Sequence, residues 1–551
     1  MDAYGTILRL TDDAVPHIMD AQKKDPNCRD YEGQISPGKG FAEPSQSAYA
    51  AAVLISAYLC DKSRWHGNEG LLDAAISSLK FLNRMCHEDG TLDLVETNFF
   101  DATVNGFAVQ VLAYTYRLLE QNAKTEKELE AECLVRSFIE KSASAMLTGG
   151  FHTPNHRWVV ASALSLCWKI LDSEECLEMA QIYLSEGIDC NDEGDYTERS
   201  VGIYDAVNNG SLAIIAQELN KPELYEFIDR NLEKNWYYTE PDLTALTLAS
   251  RRQDYGNEAQ MVHHFYSYYL AAARTVNKNF MWMAARLLRQ MENLQAHIGQ
   301  PHDIAASINH QNLLTRFMLD TPHQLPCEEP MPIKYDKFFN TAGVARVRQG
   351  NWTCSLLKDN STFMKLQNGN LKVYFKLACT FFQFGRLLAQ EITPIENGYR
   401  MICEQEWGYV RPIKNLNEPD WHKIDRNIRD KANMQKHKWQ VEIIIKENGL
   451  SLYIHTDGTP RIPIKLECIL PPGGLAKTAG SSFEAQPGGW MIAGEAVTYY
   501  LGGEAIRFSG CFNKHDYTNN MRNSDPSPPG RFTIYCTGFT LINKLIEIDM
   551  I

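Results

Sequence analysis

The spacing of apolar residues changes once along this chain, and the change divides it into two parts. Up to about residue 325, apolar side chains recur every three or four residues, the period of amphipathic α-helices. Beyond a proline-rich stretch that begins at Pro322, apolar and polar side chains alternate, the period of β-strands. A chain of 551 residues is also too long for one ordinary hydrophobic core. The sequence therefore predicts a helical domain over residues 1–325 and a β domain over residues 326–551.

The first part is predicted to consist of successive helices joined by short loops. The predicted helices are 45–60, 71–86, 103–119, 126–147, 157–171, 175–184, 201–219, 222–235, 258–275 and 279–298. Such helices stack as antiparallel hairpins, either in a closed α/α toroid or in an open solenoid. No strict repeat period is visible, which favours the toroid. We therefore expect an incomplete (α/α) toroid.

The second part is predicted to be antiparallel β-structure. The predicted strands are 343–349, 352–357, 362–366, 371–379, 399–404, 440–446, 450–456, 464–469, 489–493, 496–501, 506–511 and 532–537. Asn368-Gly369 and Asp457-Gly458 are typical of tight turns between antiparallel strands. Residues 513–530 are rich in Asn, Asp, Ser and Pro and predict a long surface loop. The expected fold class is α+β multidomain, with the toroid followed by a C-terminal antiparallel β-sandwich.

Charge and composition exclude several classes of function. The net charge of -14 and the pI of about 5.6 argue against a general nucleic-acid-binding protein, although a local basic pocket could still bind an anion. The longest apolar stretch, residues 48–60, is too short and too polar to span a membrane. No signal peptide follows Met1, and the fourteen cysteines form no paired motif, so a cytoplasmic location is expected.

The stretch from Gly149 to Trp158 interrupts the helical pattern with two glycines and a proline and then restarts a helix. Asn155, His156 and Arg157 fall together at this restart. The backbone N–H groups of a first helical turn attract anions, so a substrate carboxylate fits this position. The alternative is structural: Asn155 caps the helix and His156 is a satisfied structural residue.

Two further polar stretches contain side chains suited to binding or proton transfer. Residues 194–205 combine acids, an arginine and two tyrosines, and include Glu198 and Tyr204. Residues 250–254 contain Arg252, whose guanidinium can bind a carboxylate through two hydrogen bonds. The alternatives are an ordinary amphipathic tyrosine and a surface ion-pair cluster.

The segment Thr97–Asp101 is predicted to be a loop between helices. It combines the amide of Asn98, two phenylalanines and the carboxylate of Asp101, a combination that suits a sugar ring and its hydroxyl groups. Simple helix capping by Asn98 or Asp101 is the alternative. Motifs for nucleotide, zinc or serine-hydrolase chemistry are missing from the sequence, and we expect neither a metal nor another cofactor.

The segments 153–158 and 198–204, in a helical part followed by a β part, resemble the heparinase II/III-like polysaccharide lyases and related alginate lyases. This resemblance implies β-elimination at a uronic acid in a glycan or oligosaccharide. It implies that Asn155 and Arg252 hold the carboxylate and stabilise the enolate-like intermediate. Tyr204 would act as general acid, or as base and acid, while His156 would be a base or support phenolate formation. The other residues implied in orienting or binding the substrate are Arg157, Glu198, Asn98 and Asp101.

Two other functions remain open at the level of sequence. A glycoside hydrolase on a helical toroid would use paired carboxylates. The acids available for this role are Asp101, Asp192, Glu193, Asp195 and Glu198. A non-catalytic carbohydrate-binding protein is the second alternative. For the lyase we expect exo-action on oligosaccharides, whereas the uronic acid, the stereochemistry of elimination and the oligomeric state stay open.

Overall fold

The computed structural model describes residues 2–36, 38–298, 312–319, 334–526 and 528–551. The chain divides into two compact units. The helical unit is Met1–Thr239 with Leu243–Met331, and the β unit is Glu240–Asp242 with Pro332–Ile551. The predicted boundary between residues 325 and 326 lies outside the described residues. The α+β multidomain class follows the prediction.

Most of the long helices of the helical unit lie where the apolar period predicts them, but the first (Ala3–Ala21) and the last (Leu313–Leu319) were not predicted. The helices are α1 Ala3–Ala21, α2 Pro44–Leu59, α3 Glu69–Met85, α4 Ala102–Asn122, α5 Glu126–Thr148, α6 Pro154–Leu171, α7 Glu174–Ser185, α8 Tyr204–Glu218, α9 Tyr225–Tyr237, α10 Phe265–Thr275, α11 Lys278–Ile298 and α12 Leu313–Leu319. Local sequence explains several starts: Thr125 and Glu128 form a capping box on α5, and Pro154 occupies the first turn of α6. None of the described helices has the length and apolarity needed to cross a lipid bilayer.

Two parts of the helical unit differ from the prediction. The segment expected as an inter-helix loop forms a small hairpin of β1 (Leu92–Leu94) and β2 (Asn98–Asp101). The helix expected from residue 201 begins at Tyr204, because residues 191–203 form a turn-rich segment held by side-chain bonds. Along the chain, α4 contacts α6 and α6 contacts α8, so the N-terminal ends of alternate helices become neighbours.

The β unit contains two sheets with nine strands each among its described residues. The strands are β3 Lys334–Phe339, β4 Val344–Gln349, β5 Trp352–Leu357, β6 Met364–Asn368, β7 Leu371–Phe381, β8 Phe384–Arg386, β9 Glu391–Ile395, β10 Gly398–Val410, β11 Lys431–Lys446, β12 Gly449–Gly458, β13 Pro463–Leu470, β14 Leu475–Lys477, β15 Ser482–Glu484, β16 Trp490–Ile492, β17 Ala496–Leu501, β18 Glu504–Ser509, β19 Phe532–Phe539 and β20 Asn543–Met550. One sheet has the order β16-β19-β13-β7-β6-β5-β4-β3, with β8 beside β7; the other has the order β15-β14-β17-β18-β20-β12-β11-β10-β9. The pairings are antiparallel except for the parallel pair β16–β19. Apolar side chains from both sheets share one core.

One of the two predicted tight turns is confirmed, and the other is wrong. Asn368-Gly369 joins β6 to β7 as a hairpin, with Gly369 at a positive φ of 53°. Asp457-Gly458 instead lies at the end of β12, because the next strand, β13, belongs to the other sheet. The predicted surface loop, residues 513–530, contains no helix or strand among its described residues.

A short segment from the middle of the chain, Glu240–Asp242, belongs to the β unit. The fully buried carboxylate of Glu240 lies 3.0 Å from the Arg346 guanidinium and 2.8 Å from Nζ of Lys365, and it accepts a 2.7 Å hydrogen bond from Thr353. Burial acts to raise the pKa of Glu240, but the two cations outweigh it and hold that pKa well below its ordinary value. The sequence pattern gave no indication of this cluster.

Candidate active site

Three neighbouring helices of the helical unit begin at residues singled out in the sequence. Asp101 caps α4, Asn155 lies in the first turn of α6, and Tyr204 is the first residue of α8. Hydrogen bonds between the segments that precede these helices show that the three N-terminal ends lie together. First helical turns present unpaired N–H groups, so this end of the unit favours anions.

Asn155 and Arg252 converge on the carboxylate of Glu198. The fully buried amide of Asn155 donates to both carboxylate oxygens, at 3.0 and 2.9 Å, and Nε of Arg252 lies 3.3 Å from one of them. Burial raises the pKa of Glu198, while the Asn155 hydrogen bond and the Arg252 charge act in the opposite direction. The side chain of Asn155 does not cap α6; it donates to the hydroxyl of Thr153 at 3.2 Å and to Glu198, 43 residues away.

Tyr204 lies beside the same arginine. The Arg252 guanidinium lies 5.1 Å from the centre of the tyrosine ring, and the side-chain amide of Gln253 donates a 2.6 Å hydrogen bond to the tyrosine hydroxyl. Arg252 thus contacts both Glu198 and Tyr204. Gln253 was missed by the sequence reasoning, and its place next to Arg252 was the signal that could have drawn attention to it.

His156 is a half-buried, neutral imidazole on the first turn of α6. Its pKa is lowered to about 4, mainly by burial; the charges of His152 and Arg252 also act to lower it, whereas Asp101 acts to raise it. The ring makes edge contacts with His152 at 4.7 Å and with Phe107 at 6.2 Å. Its Nδ1 atom has no hydrogen-bond partner in the described part of the chain. Above pH 4 the imidazole is therefore free to accept a proton.

Asn98 and Asp101 lie next to this histidine pair. Asn98 donates to Asp101 at 3.0 Å and lies 3.5 Å from Nε2 of His152. Asp101 also accepts from the backbone N–H of Thr103 at 2.8 Å, so the capping alternative holds for this residue. His152 is the residue here that the sequence reasoning did not select, although it lies within the Gly149–Trp158 stretch.

The hairpin that carries Asn98 also presents two aromatic rings to solvent. Phe99 and Phe100 are 65% and 60% exposed, which is unusual for phenylalanine. Phe100 has a positive φ of 53°, and its ring stacks on His87 at 3.9 Å. Its backbone N–H is held by Asp93 at 2.9 Å. The hairpin therefore holds an exposed aromatic surface next to Asn98.

Arg157, the third residue of the helix restart, contacts other groups. Its guanidinium pairs with Glu186 at 3.1 Å and with Asp189 at 3.2 Å, and it lies over the Trp158 ring at 4.7 Å. The structure therefore brings together Asn155, His156, Glu198, Tyr204, Arg252, Asn98 and Asp101, and directs Arg157 towards the residues that follow α7.

A buried ion-pair network holds the segment that carries Glu198 and Tyr204. The ammonium of Lys234, on α9, lies 3.0 Å from Asp195 and 2.9 Å from Asp205, and its side chain is fully buried. Burial acts to lower the pKa of Lys234, but the two carboxylates outweigh it and raise that pKa. Because the two acids flank residues 196–204, the network fixes both ends of this segment. No local pattern marks a buried lysine of this kind.

The assembled groups suit anion binding and proton transfer. They provide a guanidinium, an amide, a phenol with a hydrogen bond to its oxygen, and a neutral imidazole. Across the residues that the structure describes, no group of three or more His, Cys, Asp or Glu side chains is arranged to hold a metal ion.

Three solved structures with the same fold are polysaccharide lyases. The Paenibacillus xanthan lyase matches 99% of this chain and 55% of its own, with 11% identity and a TM-score of 0.53. The Streptomyces coelicolor A3 chondroitin AC lyase, in complex with chondroitin sulphate, matches 99% of this chain and 79% of its own, with 11% identity and a TM-score of 0.52. A mutant of the heparan sulfate lyase HepC from Pedobacter heparinus matches 99% of this chain and 82% of its own, with 12% identity and a TM-score of 0.53.

These likenesses establish a shared fold along nearly the whole chain. The chain spans about half the length of the xanthan lyase. No protein-family model and no curated protein sequence matches it.

Proposed function

We propose that this protein is a polysaccharide or oligosaccharide lyase that cleaves a glycosidic bond next to a uronic acid by β-elimination. The observation that carries the proposal is the convergence of Asn155 and Arg252 on Glu198, with Arg252 also lying over the ring of Tyr204. The fold shared with three polysaccharide lyases supports it. The proposed substrate is a uronic-acid-containing glycan, attacked from a chain end.

The reaction needs a base, an acid and a group that neutralises the substrate carboxylate, and it consumes no water. A base removes the C5 proton of the uronic acid, the electron pair forms the C4–C5 double bond, and the C4–O bond breaks. An acid protonates the leaving oxygen, so the products are an unsaturated uronate and a glycan with a new hydroxyl group. The difficult step is removal of a weakly acidic proton, and it is accelerated when the adjacent carboxylate is neutralised.

Arg252 is the proposed ligand of the substrate carboxylate. Its side chain is 26% exposed, and it is the Nε atom that meets Glu198, which leaves the terminal N–H groups as the ones to contact the substrate. Asn155 assists indirectly: its amide N–H groups are donated to Glu198, and they hold the carboxylate beside which Arg252 lies. Glu198 holds both side chains in position.

Tyr204 and His156 are the proposed proton-transfer groups. Gln253 donates to the tyrosine oxygen, so the hydroxyl proton of Tyr204 is directed to another acceptor and the phenolate is stabilised once formed. His156 is neutral above pH 4 and can accept the C5 proton. In this scheme His156 is the base and Tyr204 the acid; in the alternative scheme, Tyr204 serves as both.

The architecture proposed for this reaction is an incomplete α/α toroid followed by a β-sandwich. Two observations support it. Near the two ends of the helical unit, Thr6 and Arg9 on α1 donate to Glu292 on α11 at 3.1 and 2.5 Å, whereas an open solenoid keeps its ends apart. In the β unit, both sheets contribute to one core.

The hydrolase alternative is less well supported, because three of its five candidate acids have structural partners. Asp195 is paired with buried Lys234, Glu198 with Asn155 and Arg252, and Asp101 caps a helix. A hydrolase would need two such carboxylates to face a substrate with a water or a nucleophile between them. No observation favours this function.

The test is a screen of uronic-acid glycans: chondroitin sulphate, heparan sulfate, xanthan and alginate oligosaccharides. Elimination is detected by the absorbance of the conjugated double bond and by product masses one water lower than those of hydrolysis. Wild type is compared with Tyr204→Phe, His156→Ala and a control, Glu140→Gln, in an exposed ion pair on α5. We expect elimination by wild type and the control, and a loss of more than about a hundredfold in Tyr204→Phe. Full activity in both site variants, or hydrolysis products without the chromophore, contradicts the proposal.

A further inference from the structure

Four aromatic side chains of the β unit form a cluster that the proposed lyase chemistry does not use. Phe382 lies in the turn between β7 and β8, Phe384 begins β8, and Trp407 and Tyr409 lie on β10. The ring centres of Phe382 and Tyr409 are 5.6 Å apart, and those of Phe384 and Trp407 are 5.9 Å apart. Side chains two residues apart on a strand face the same side of a sheet, so Trp407 and Tyr409 both face this turn. The four rings therefore form one aromatic cluster.

The turn that carries the two phenylalanines is held by contacts on several sides. Phe381, the last residue of β7, is buried, and its ring centre lies 5.0 Å from that of Phe382 and 6.4 Å from that of Phe384. The side-chain amide of Asn523 donates to the backbone oxygen of Phe382 at 2.8 Å. Phe382 also has a positive φ of 46°, which is rare for a bulky residue. These contacts keep the phenylalanine rings in a fixed arrangement.

The aromatic cluster is anchored in the core of the β unit and open to solvent on its other side. Phe382, Phe384 and Trp407 are half-buried and pack against that core. Tyr409 is 67% exposed. Aromatic side chains are usually more deeply buried than this, because their rings are large and apolar. Exposed apolar side chains that lie together in this way indicate a binding surface.

A lysine adds a positive charge to the aromatic cluster. Nζ of Lys431, the first residue of β11, lies 4.2 Å from the centre of the Trp407 ring. The ring attracts the ammonium group but does not neutralise its charge. No carboxylate among the described residues forms an ion pair with Lys431. The ammonium group is therefore available to an anion that packs against the rings.

A second cation lies beside Lys431. Arg411 follows the end of β10, and its backbone N–H donates to the backbone oxygen of Asp430 at 2.8 Å. Its side chain is exposed and forms no ion pair within the described ranges. Two cations against the carboxylate of Asp430 leave a local positive charge on a chain whose net charge is -14. This position therefore favours an occupant with a negative charge.

An acidic sugar residue fits both properties of this surface. One face of a pyranose ring presents C–H groups, which pack on aromatic rings, while its carboxylate pairs with an ammonium or guanidinium group. A lipid tail has the apolar surface without the charge. A single-stranded nucleic acid has both, but its phosphates need a broad basic footprint, which a net charge of -14 disfavours.

We propose that the aromatic cluster and Lys431 form a binding surface of the β unit for an acidic sugar residue of a glycan. The sugar ring packs on Tyr409 and Trp407, and its carboxylate contacts Nζ of Lys431, with Arg411 as the nearby second cation. The surface contains none of the residues of the proposed elimination chemistry and does not rest on that proposal.

The test is calorimetric titration of the whole chain with a mannuronate tetrasaccharide from alginate, and with the mannose tetrasaccharide of the same linkage as the uncharged comparison. A chondroitin sulphate tetrasaccharide is a further acidic probe, and a single-stranded oligothymidylate tests nucleic-acid binding. All proteins carry Arg252→Leu, which removes the proposed carboxylate ligand of the candidate active site and, with it, cleavage of the probes. If Arg252→Leu does not fold, Tyr204→Phe replaces it.

The variants remove one exposed ring or one charge from the surface. They are Tyr409→Ala and Lys431→Met. The matched controls are Tyr453→Ala, at an exposed tyrosine of β12, and Lys436→Met, at an exposed lysine of β11 that pairs with Glu406. Thermal melting verifies that each variant is folded, and sedimentation measures its oligomeric state.

We expect an acidic probe to bind, with a dissociation constant about tenfold higher in Tyr409→Ala and in Lys431→Met and unchanged in both controls. The mannose tetrasaccharide should bind more weakly than the mannuronate tetrasaccharide, because it lacks the carboxylates.

The proposal is overturned if neither acidic probe binds, or if the folded variants bind like their controls. It is also overturned if the mannose tetrasaccharide binds as tightly as the mannuronate tetrasaccharide, or if the oligothymidylate binds more tightly than the acidic sugars. A dimer that Tyr409→Ala dissociates would overturn it as well, because a second copy of the chain would then cover the aromatic cluster.

Discussion

Gln253 donates a 2.6 Å hydrogen bond to the hydroxyl oxygen of Tyr204. This bond orients the hydroxyl and stabilises the phenolate. We therefore predict that Gln253→Leu lowers kcat about tenfold, the equivalent of roughly 1.4 kcal/mol, and moves the alkaline limb of the pH profile to higher pH. KM should change little, because the bond is not part of carboxylate binding.

The matched control for this variant is Asn257→Ala. Asn257 donates to the backbone oxygen of Gln253 at 2.8 Å, so its loss perturbs the same turn without removing the donor to Tyr204. If both variants lower kcat equally and neither moves the pH profile, Gln253 has a structural role only.

Asn155→Asp should destabilise the helical unit. The change is isosteric, but it sets a second carboxylate within hydrogen-bonding distance of buried Glu198, and like charges at this separation repel strongly. We expect a loss of about 3 kcal/mol at pH 7, which becomes smaller towards pH 5 as one carboxyl takes up a proton. Denaturant unfolding at both pH values measures it. Equal losses at the two pH values would argue against charge repulsion.

The fall of activity at low pH should be caused by protonation of His156. Its pKa is lowered to about 4, so the imidazole can act as base down to that pH, and kcat/KM should fall near pH 4 rather than near the ordinary value of about 6.5. Asp101→Asn removes a charge that raises this pKa and keeps a capping side chain, so this fall should move to still lower pH. Rates measured from pH 3.5 to 8 test this. If kcat/KM falls near pH 6.5 instead, or if its fall at low pH is unaffected by Asp101→Asn, another group is the base.

Lys234→Met should strongly destabilise the helical unit. The substitution leaves buried Asp205 without its counter-charge and leaves Asp195 only the 3.6 Å contact with Arg199, which corresponds to a loss of roughly 3–5 kcal/mol. Adding Asp205→Asn to Lys234→Met should restore part of the lost stability. Lys127→Met, at an exposed ion pair, is the control and should have little effect. Denaturant midpoints provide the comparison. A Lys234→Met variant as stable as wild type would contradict the stabilising role of the network.

The parts of the site that follow from local chemistry could be predicted from the sequence. Pro154 and the preceding glycines mark the restart of α6, and Asp101 is a typical cap. The Glu198–Arg252 pair could not be predicted as a pair, because its members are brought together by the packing of distant loops.

The separation of Arg157 from the other two residues of the helix restart has a simple geometric origin. Adjacent residues on a helix point about 100° apart, so Asn155, His156 and Arg157 cannot all face one substrate. Asn155 turns towards Glu198, and Arg157 turns towards Glu186 and Asp189.

The position of Glu240 bears on how this protein can be divided into fragments. A recombinant fragment that begins at Pro332 contains every strand of the β unit, but it lacks the anion that faces Arg346 and Lys365. Two buried cations would then have to find water or other partners, at a cost of several kcal/mol. Such a fragment should be aggregation-prone when expressed alone, and supplying a short peptide that covers residues 238–244 should improve its solubility. A single cut in the chain therefore does not yield an intact β unit.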